Sequence, residues 1–314
     1  MGLVSVLLVF LFAGLCCASM AALFPDPKDF FADRIHGNLT KITWAHKVTS
    51  REELAAVLNN RKIMMLETDV SLGQVYGNPD ETVPIMAHPP ATTSDLSLAD
   101  FLDQTLETPT SGIKLDFKTI EAFKASLPIL KEYREKMVVP VMLNADILPG
   151  PFSEDDKPVD ADEFLQEAKE NFPESTLSVG WTTKYGITSL QFTGSYTEEH
   201  IQNMIDTLER NKITQPITYP VRAALAADDI AVIKDLMKRT KDYQPTLTIW
   251  SPIGDLVDRE ELSKLIKDIG VDKTYVDVPK IIRRGLTLGS PPSRFSFLNT
   301  FISFFNGIAG ILPF

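Results

Sequence analysis

The sequence predicts an α/β fold, a (β/α)8 TIM barrel. Two observations predict it. From Ile42 onward, short β-rich runs alternate eight times with segments of helical periodicity, the pattern of a parallel sheet with crossover helices. The chain is also long enough: at 314 residues and 44% hydrophobic it can bury one full core, and a barrel needs only about 250 residues.

The eight strand candidates are residues 42–48, 64–71, 112–118, 138–144, 176–181, 216–221, 246–251 and 274–278. A ninth extended piece, 83–88, follows the second run too closely for a crossover helix to intervene. Helix starts are marked by Ser50 with Glu53, by Thr197 with His200, and by Asp258 with Glu260 and Glu261. Ile230, Ile233 and Leu236 line one side of a helix while Lys234, Asp235 and Lys238 fall elsewhere, as expected of an outer ring. A Pro- and Asp-rich loop, 148–162, follows the fourth strand at the barrel end where active sites are built.

Three segments divide the chain: a leader at 1–20, the barrel at 40–285 and an apolar tail at 286–314. Residues 3–16 are almost wholly apolar and run into Ala18, Ser19, Ala21 and Ala22, so a cleaved signal peptide and a secreted, extracellular protein are expected. Both cysteines, Cys16 and Cys17, fall in that leader, which leaves a mature chain without a disulfide. A sequon, Asn38-Leu39-Thr40, precedes the first strand, where a surface glycan is expected. Residues 295–314 carry no charge, and Leu298, Ile302, Phe305, Ile308 and Leu312 recur at helical spacing. This suits a packed or interfacial amphipathic helix, with a lipid-anchor signal as the rival, so membrane association through 295–314 is an expectation. The net charge is −11 and no basic run is present, which argues against a nucleic-acid partner.

The chemistry concentrates at two strand ends. In Met65-Leu66-Glu67-Thr68-Asp69-Val70 the alternation of a strand puts Glu67 and Asp69 on one face and the apolar set on the other. In the third strand Ile113, Leu115 and Phe117 form the outward set and Lys114, Asp116 and Lys118 the inward one. Three carboxylates thus converge, and three hard oxygen ligands suit Mg²⁺ or Ca²⁺. The competing expectation is that Asp116 pairs with Lys114 or Lys118, while Glu67 and Asp69 cap helices or sit at a wet mouth. Of four histidines, His46 ends the first strand and His88 ends the extra extended piece; together they suit proton transfer or nucleophilic attack. Asn144, Arg222 and Trp250 lie at or just beyond later strand ends and are candidate pocket residues, as is Trp181, for which barrel packing competes.

The runs WAHKVTS (44–50), LETDVSLG (66–73), PIMAHPP (84–90), GIKLDFK (112–118), VPVMLNADILPGP (139–151) and LSVGWTT (177–183) resemble the menorin family. That family is similar to glycerophosphodiester phosphodiesterases and to the phospholipase-D-type sphingomyelinases of spider venoms. The resemblance implies a catalytic pair His46 and His88, metal ligands Glu67, Asp69 and Asp116, and a phosphate contact at Lys118. It departs from phosphodiesterases at Lys47-Val48, where they have Arg-Gly, and at Pro89, where they have Asp; the venom enzymes' cysteine-bridged loop is also missing. Two functions follow as expectations: metal-dependent cleavage of a phosphodiester or lysophospholipid, or a non-catalytic extracellular scaffold that binds a protein partner in neuronal or tissue patterning.

Overall fold

The computed structural model describes residues 24–153, 157–186 and 189–288. The leader and the apolar tail lie outside these residues. Ten strands form one sheet: β1 (Trp44–Ala45), β2 (Met65–Val75), β3 (Asn78–Met86), β4 (Thr93–Ser94), β5 (Gly112–Phe117), β6 (Val141–Pro149), β7 (Thr176–Thr182), β8 (Ile217–Arg222), β9 (Thr246–Trp250) and β10 (Thr274–Asp277). Eight of them run parallel in the order β1-β2-β5-β6-β7-β8-β9-β10, with helices between them, as a TIM barrel requires.

The expected alternation holds. Leu66, Val70, Ile113, Leu115, Phe117, Leu143, Val179, Val221, Leu247 and Ile249 are buried in the layer between strands and helices. Phe117 packs edge-on to Phe123 at 4.8 Å and Phe123 lies 4.6 Å from Phe164, so two helices, Ile120–Tyr133 and Ala161–Asn171, clamp the end of β5. Each such aromatic contact contributes about 0.5–1.5 kcal/mol beyond its buried area. The helix starts fall where the sequence marks them: Ser50 accepts from Glu53 N, Thr197 and His200 form a capping box, and Asp258 accepts from Glu260 and Glu261 N.

Inside the barrel, Met65, Met142 and Tyr275 meet Phe31, Ile35, Leu39 and Ile42. The segment before β1 therefore plugs the N-terminal end with apolar side chains, which leaves polar inward residues only toward the opposite end. Asn38 differs from the surface position expected of a sequon. It is 7% exposed, and its Oδ1 accepts from Thr40 N and Oγ1 at 3.0 and 2.6 Å.

Three boundaries also differ from expectation. The first strand shrinks to Trp44–Ala45 because Lys47 takes a left-handed conformation (φ 61°) to offer its N–H to Glu67. The extra extended piece lengthens into β3, which pairs antiparallel with a lengthened β2 as a hairpin. β6 starts later and runs on to Pro149, with a register shift between Asp146 and Leu148. Asp146 is therefore part of the strand. No helix among the described residues is long and apolar enough to cross a membrane.

A candidate acidic active site at the barrel mouth

Register builds the site. Asp69 of β2, Asp116 of β5, Asn144 of β6 and Ser178 of β7 are successive ladder partners, so they form one layer of inward side chains. One layer below, Glu67 pairs with Lys114 and Lys114 with Met142. Glu67, Asp69 and Asp116 each offer a carboxylate oxygen within 4.8 Å of the others. Glu67 and Asp69 are buried, and Asp116 is partly so.

Buried carboxylates need partners. Lys118 Nζ lies 2.6 Å from Asp69 Oδ1 and 2.6 Å from Asp116 Oδ2, bridging the two. Asn144 Nδ2 donates to Asp116 Oδ1 at 2.6 Å, while Asn144 Oδ1 accepts from Ser178 Oγ at 2.5 Å. Asn144 therefore orients Asp116. Burial works to raise the Asp116 carboxyl, but the Lys118 and Lys114 ammonium groups and the Asn144 donor outweigh it and hold it below its ordinary value. Glu67 moves the other way: burial raises it, against the pull of His46 and Lys114. Asp146, inward on β6, is raised by burial and by the charge of Asp116 to about 7.

His46 stands over this cluster, with 44% of its side chain exposed. Its Nδ1 is 2.6 Å from Asp277 Oδ2 and 3.6 Å from Glu67 Oε2. Burial alone would lower its pKa, but Glu67 and Asp277 more than offset this and raise it to about 9. Below that pH Nδ1–H donates to Asp277 and Nε2 also carries a proton. His88 is not drawn into the cluster. It is exposed, its Nδ1 engages Pro89 O at 2.6 Å, and it makes no hydrogen bond or ion pair with the carboxylates.

Arg222 and Trp250, expected to line a pocket, form a separate group beside the site. The Arg222 guanidinium makes two 2.8 Å hydrogen bonds to Asp255, donates to Tyr185 O, and lies 5.5 Å from the Trp250 ring centre. Trp181 is buried against Tyr196 and Tyr219 and is core. The loop after β6 is tied down by Ser153 Oγ to Thr182 O and by Lys184 N to Pro151 O, while His46 stays open to solvent. A surface cleft of about 1090 Å³ lies at the other barrel end between Asp26, Pro216, Gln244 and Lys273 and holds none of these groups.

Comparison with known proteins places the chain. The Menorin N-terminal domain matches residues 38–283, a span that includes every residue of the cluster. The chain belongs to the menorin family. Human Protein FAM151B is 33% identical over 240 residues, which cover 76% of this chain and 82% of that protein. Among solved structures, a glycerophosphodiester phosphodiesterase from Parabacteroides distasonis aligns with a TM-score of 0.41 at 13% identity, over 78% of this chain and 93% of its own. The catalytic domain of a chitinase from Pyrococcus furiosus gives 0.46 at 12% identity, over 87% and 97%.

Within this menorin domain, sequence reasoning missed Asp277 and Ser178. Both carried a signal. Asp277 shares parity with Tyr275 at the end of the eighth run, and Ser178 is the ladder partner of Asn144. Lys114, which the sequence offered as an inward neighbour and possible partner of Asp116, acts by its charge on Glu67 and Asp146 as well.

Proposed function

We propose that this menorin-family protein is a secreted phosphodiester-cleaving enzyme that uses Mg²⁺ or Ca²⁺ held by Glu67, Asp69 and Asp116. The observation that carries the reading is the convergence of these carboxylates within 4.8 Å beside a histidine fixed by a further carboxylate. The donor set fits such an ion: it is all oxygen, and oxygens at opposite sides of a Ca²⁺ stand about 4.6–5.2 Å apart. A bound cation would offset phosphate charge and polarise the phosphorus–oxygen bonds.

The chain's own residues supply the rest. Asp277 holds His46 by Nδ1, so that Nε2, protonated below about pH 9, gives its proton to the leaving oxygen as water adds to phosphorus and the phosphorus–oxygen ester bond breaks. Lys118 is placed to exchange a carboxylate for a phosphate oxygen, and Asn144 keeps Asp116 in position through that exchange. His88 lies on the connection after β3 and supplies the second proton-transfer group at the rim. One observation favours the rival reading of a non-catalytic extracellular scaffold: Lys118 bridges Asp69 and Asp116 and so meets part of their charge with a side chain.

Calorimetry with Mg²⁺ and Ca²⁺ separates the two, run on wild type and on Glu67→Gln/Asp69→Asn, with turnover of glycerophosphodiesters and lysophospholipids measured alongside. The enzyme reading expects cation binding and turnover in wild type and neither in the double variant. Binding without turnover supports the scaffold, and no binding removes the metal site.

A further inference from the structure

Seven large apolar side chains are exposed among the described residues: Tyr76, Phe152, Leu190, Phe192, Ile253, Leu256 and Ile281. Single exposed apolar residues need no explanation, but their distribution here does. Phe152 follows β6, Leu190 and Phe192 follow β7, Ile253 and Leu256 follow β9, Ile281 follows β10, and Tyr76 is at the tip of the β2–β3 hairpin. Every one lies on the barrel end where the acidic site opens. Apart from Ile281, in the short helix Lys280–Arg283, the described helices carry none.

The exposure is built rather than loose. Tyr185 OH lies 3.0 Å from both Phe192 O and Leu256 O, which ties the β7 connection to the β9 connection. Beneath it Arg222 pairs with Asp255, both buried, and also holds Tyr185 O. The Phe152 ring seats so closely on Gly194 that a Cβ there would lie 2.2 Å from it, which ties the β6 connection to the same group. A buried ion pair thus fixes loops whose outermost side chains are apolar and exposed, Leu190 by 79% and Ile253 by 92%.

What covers this rim follows from where the chain goes next. Thr287 N donates to Ser263 Oγ and Gly285 packs on Arg259, in the first turns of the helix Arg259–Ile269, which starts at the rim end. Beyond Leu288 the sequence continues for 26 residues, and 295–314 carry no charge. The described residues therefore end at the same end of the barrel, with the uncharged stretch 295–314 still to follow in sequence. A net charge of −11 disfavours an anionic surface, which leaves a neutral one.

We propose that the mouth of the barrel docks on a zwitterionic lipid surface through Phe152, Leu190, Phe192, Ile253 and Leu256, with the acidic site facing the headgroups. Docking stands without catalysis; that the substrate is a membrane phospholipid rests on the phosphodiesterase reading above.

The test is co-sedimentation of the full chain with phosphatidylcholine vesicles, comparing wild type with Leu190→Ser/Ile253→Ser/Leu256→Ser, whose folding is checked by its circular-dichroism melt. Partitioning of wild type should fall about 100-fold in the triple variant, and added salt should leave it within roughly twofold. An environment-sensitive dye on Ile253→Cys, in a Cys16→Ser/Cys17→Ser background, should shift to the blue on vesicles, while the same dye on Asn60→Cys at the opposite end should not. Three outcomes overturn the proposal. Wild type could fail to bind; the triple variant could bind equally, so that the tail alone anchors; or the dye at 253 could be blue-shifted without vesicles and lose that shift when 295–314 are deleted, so that the tail itself covers the rim. Glu67→Gln/Asp69→Asn should bind vesicles as wild type does, and the triple variant should keep any turnover of a soluble glycerophosphodiester, so failure of docking and failure of catalysis read out separately.

Discussion

Asp277→Asn in the metal-free protein isolates the tie that holds His46. The substitution keeps the shape and an acceptor oxygen beside Nδ1 but removes a charge 2.6 Å away. Unit charges about 4 Å apart interact by about 1 kcal/mol in water and about 4 kcal/mol near a protein surface. With 44% of the imidazole exposed, solvent screening puts this pair near the lower value, about 1.4 kcal/mol, or about one pKa unit. His46 should therefore titrate about one unit below its wild-type value of about 9. Because the folded value is raised above the unfolded one of about 6.5, the stability it contributes is fully present below that pH and is lost as pH rises through about 9. The variant should be less stable by about 1 kcal/mol near pH 6 and nearly equal to wild type above about pH 9.5. Imidazole titration by NMR and urea unfolding at the two pH values, both in chelator, measure this. A midpoint that does not move, or a loss of stability equal at both pH values, refutes a share for Asp277, beside Glu67, in raising the pKa.

Lys118→Met leaves Asp69 and Asp116 facing each other without the bridging ammonium; since Lys118 is 21% exposed, the cost should be about 2 kcal/mol, below the range for a fully buried pair. The chelated protein should melt about 5 °C lower, with recovery on adding Ca²⁺, and an unchanged melt would show that the bridge is idle. At Gly180→Ala the new Cβ would stand 2.7 Å from Pro220 Cγ, 3.2 Å from Pro220 O and 3.0 Å from Asp146 Oδ1. A proline ring in β8 cannot swing aside, so urea unfolding should show a loss of about 1–3 kcal/mol; a loss under about 0.5 kcal/mol would mean that the strands part easily there.

The barrel was legible because its information is local. Alternation in β2 and β5 sorts carboxylates from Leu66, Val70, Ile113 and Leu115 without knowledge of what lies on either side. Long-range pairings were not legible, since nothing local couples His46 to a residue 231 positions away or Arg222 to Asp255. Arg222 illustrates the difference. A cation just past a strand end reads as a substrate contact, yet its charge is taken by a carboxylate on the next connection, and its role in the fold is to hold Tyr185. His88 is a related case: its Nδ1 is engaged by the carbonyl of the next residue, Pro89, a local contact that the sequence does not announce.

The position of His46 at the barrel seam joins fold and site. Among the described residues no backbone ladder links β10 to β1, so the eight-stranded ring is closed there by other contacts. Trp44 packs edge-on to Tyr275 at 5.9 Å, and one alternation further up His46 meets Asp277. Arg283 bonds Val276 O and Thr40 O across the same gap. Side chains can close a seam only where successive inward residues of the two strands match, and here the lower match is aromatic while the upper one is acid and base. The contact that orients His46 is therefore one of those that complete the ring. A substitution at Asp277 should act on barrel closure and on the proton of His46 together, whereas one at Asn144, within a continuous ladder, should act on its layer partners Asp116 and Ser178 and leave the seam intact.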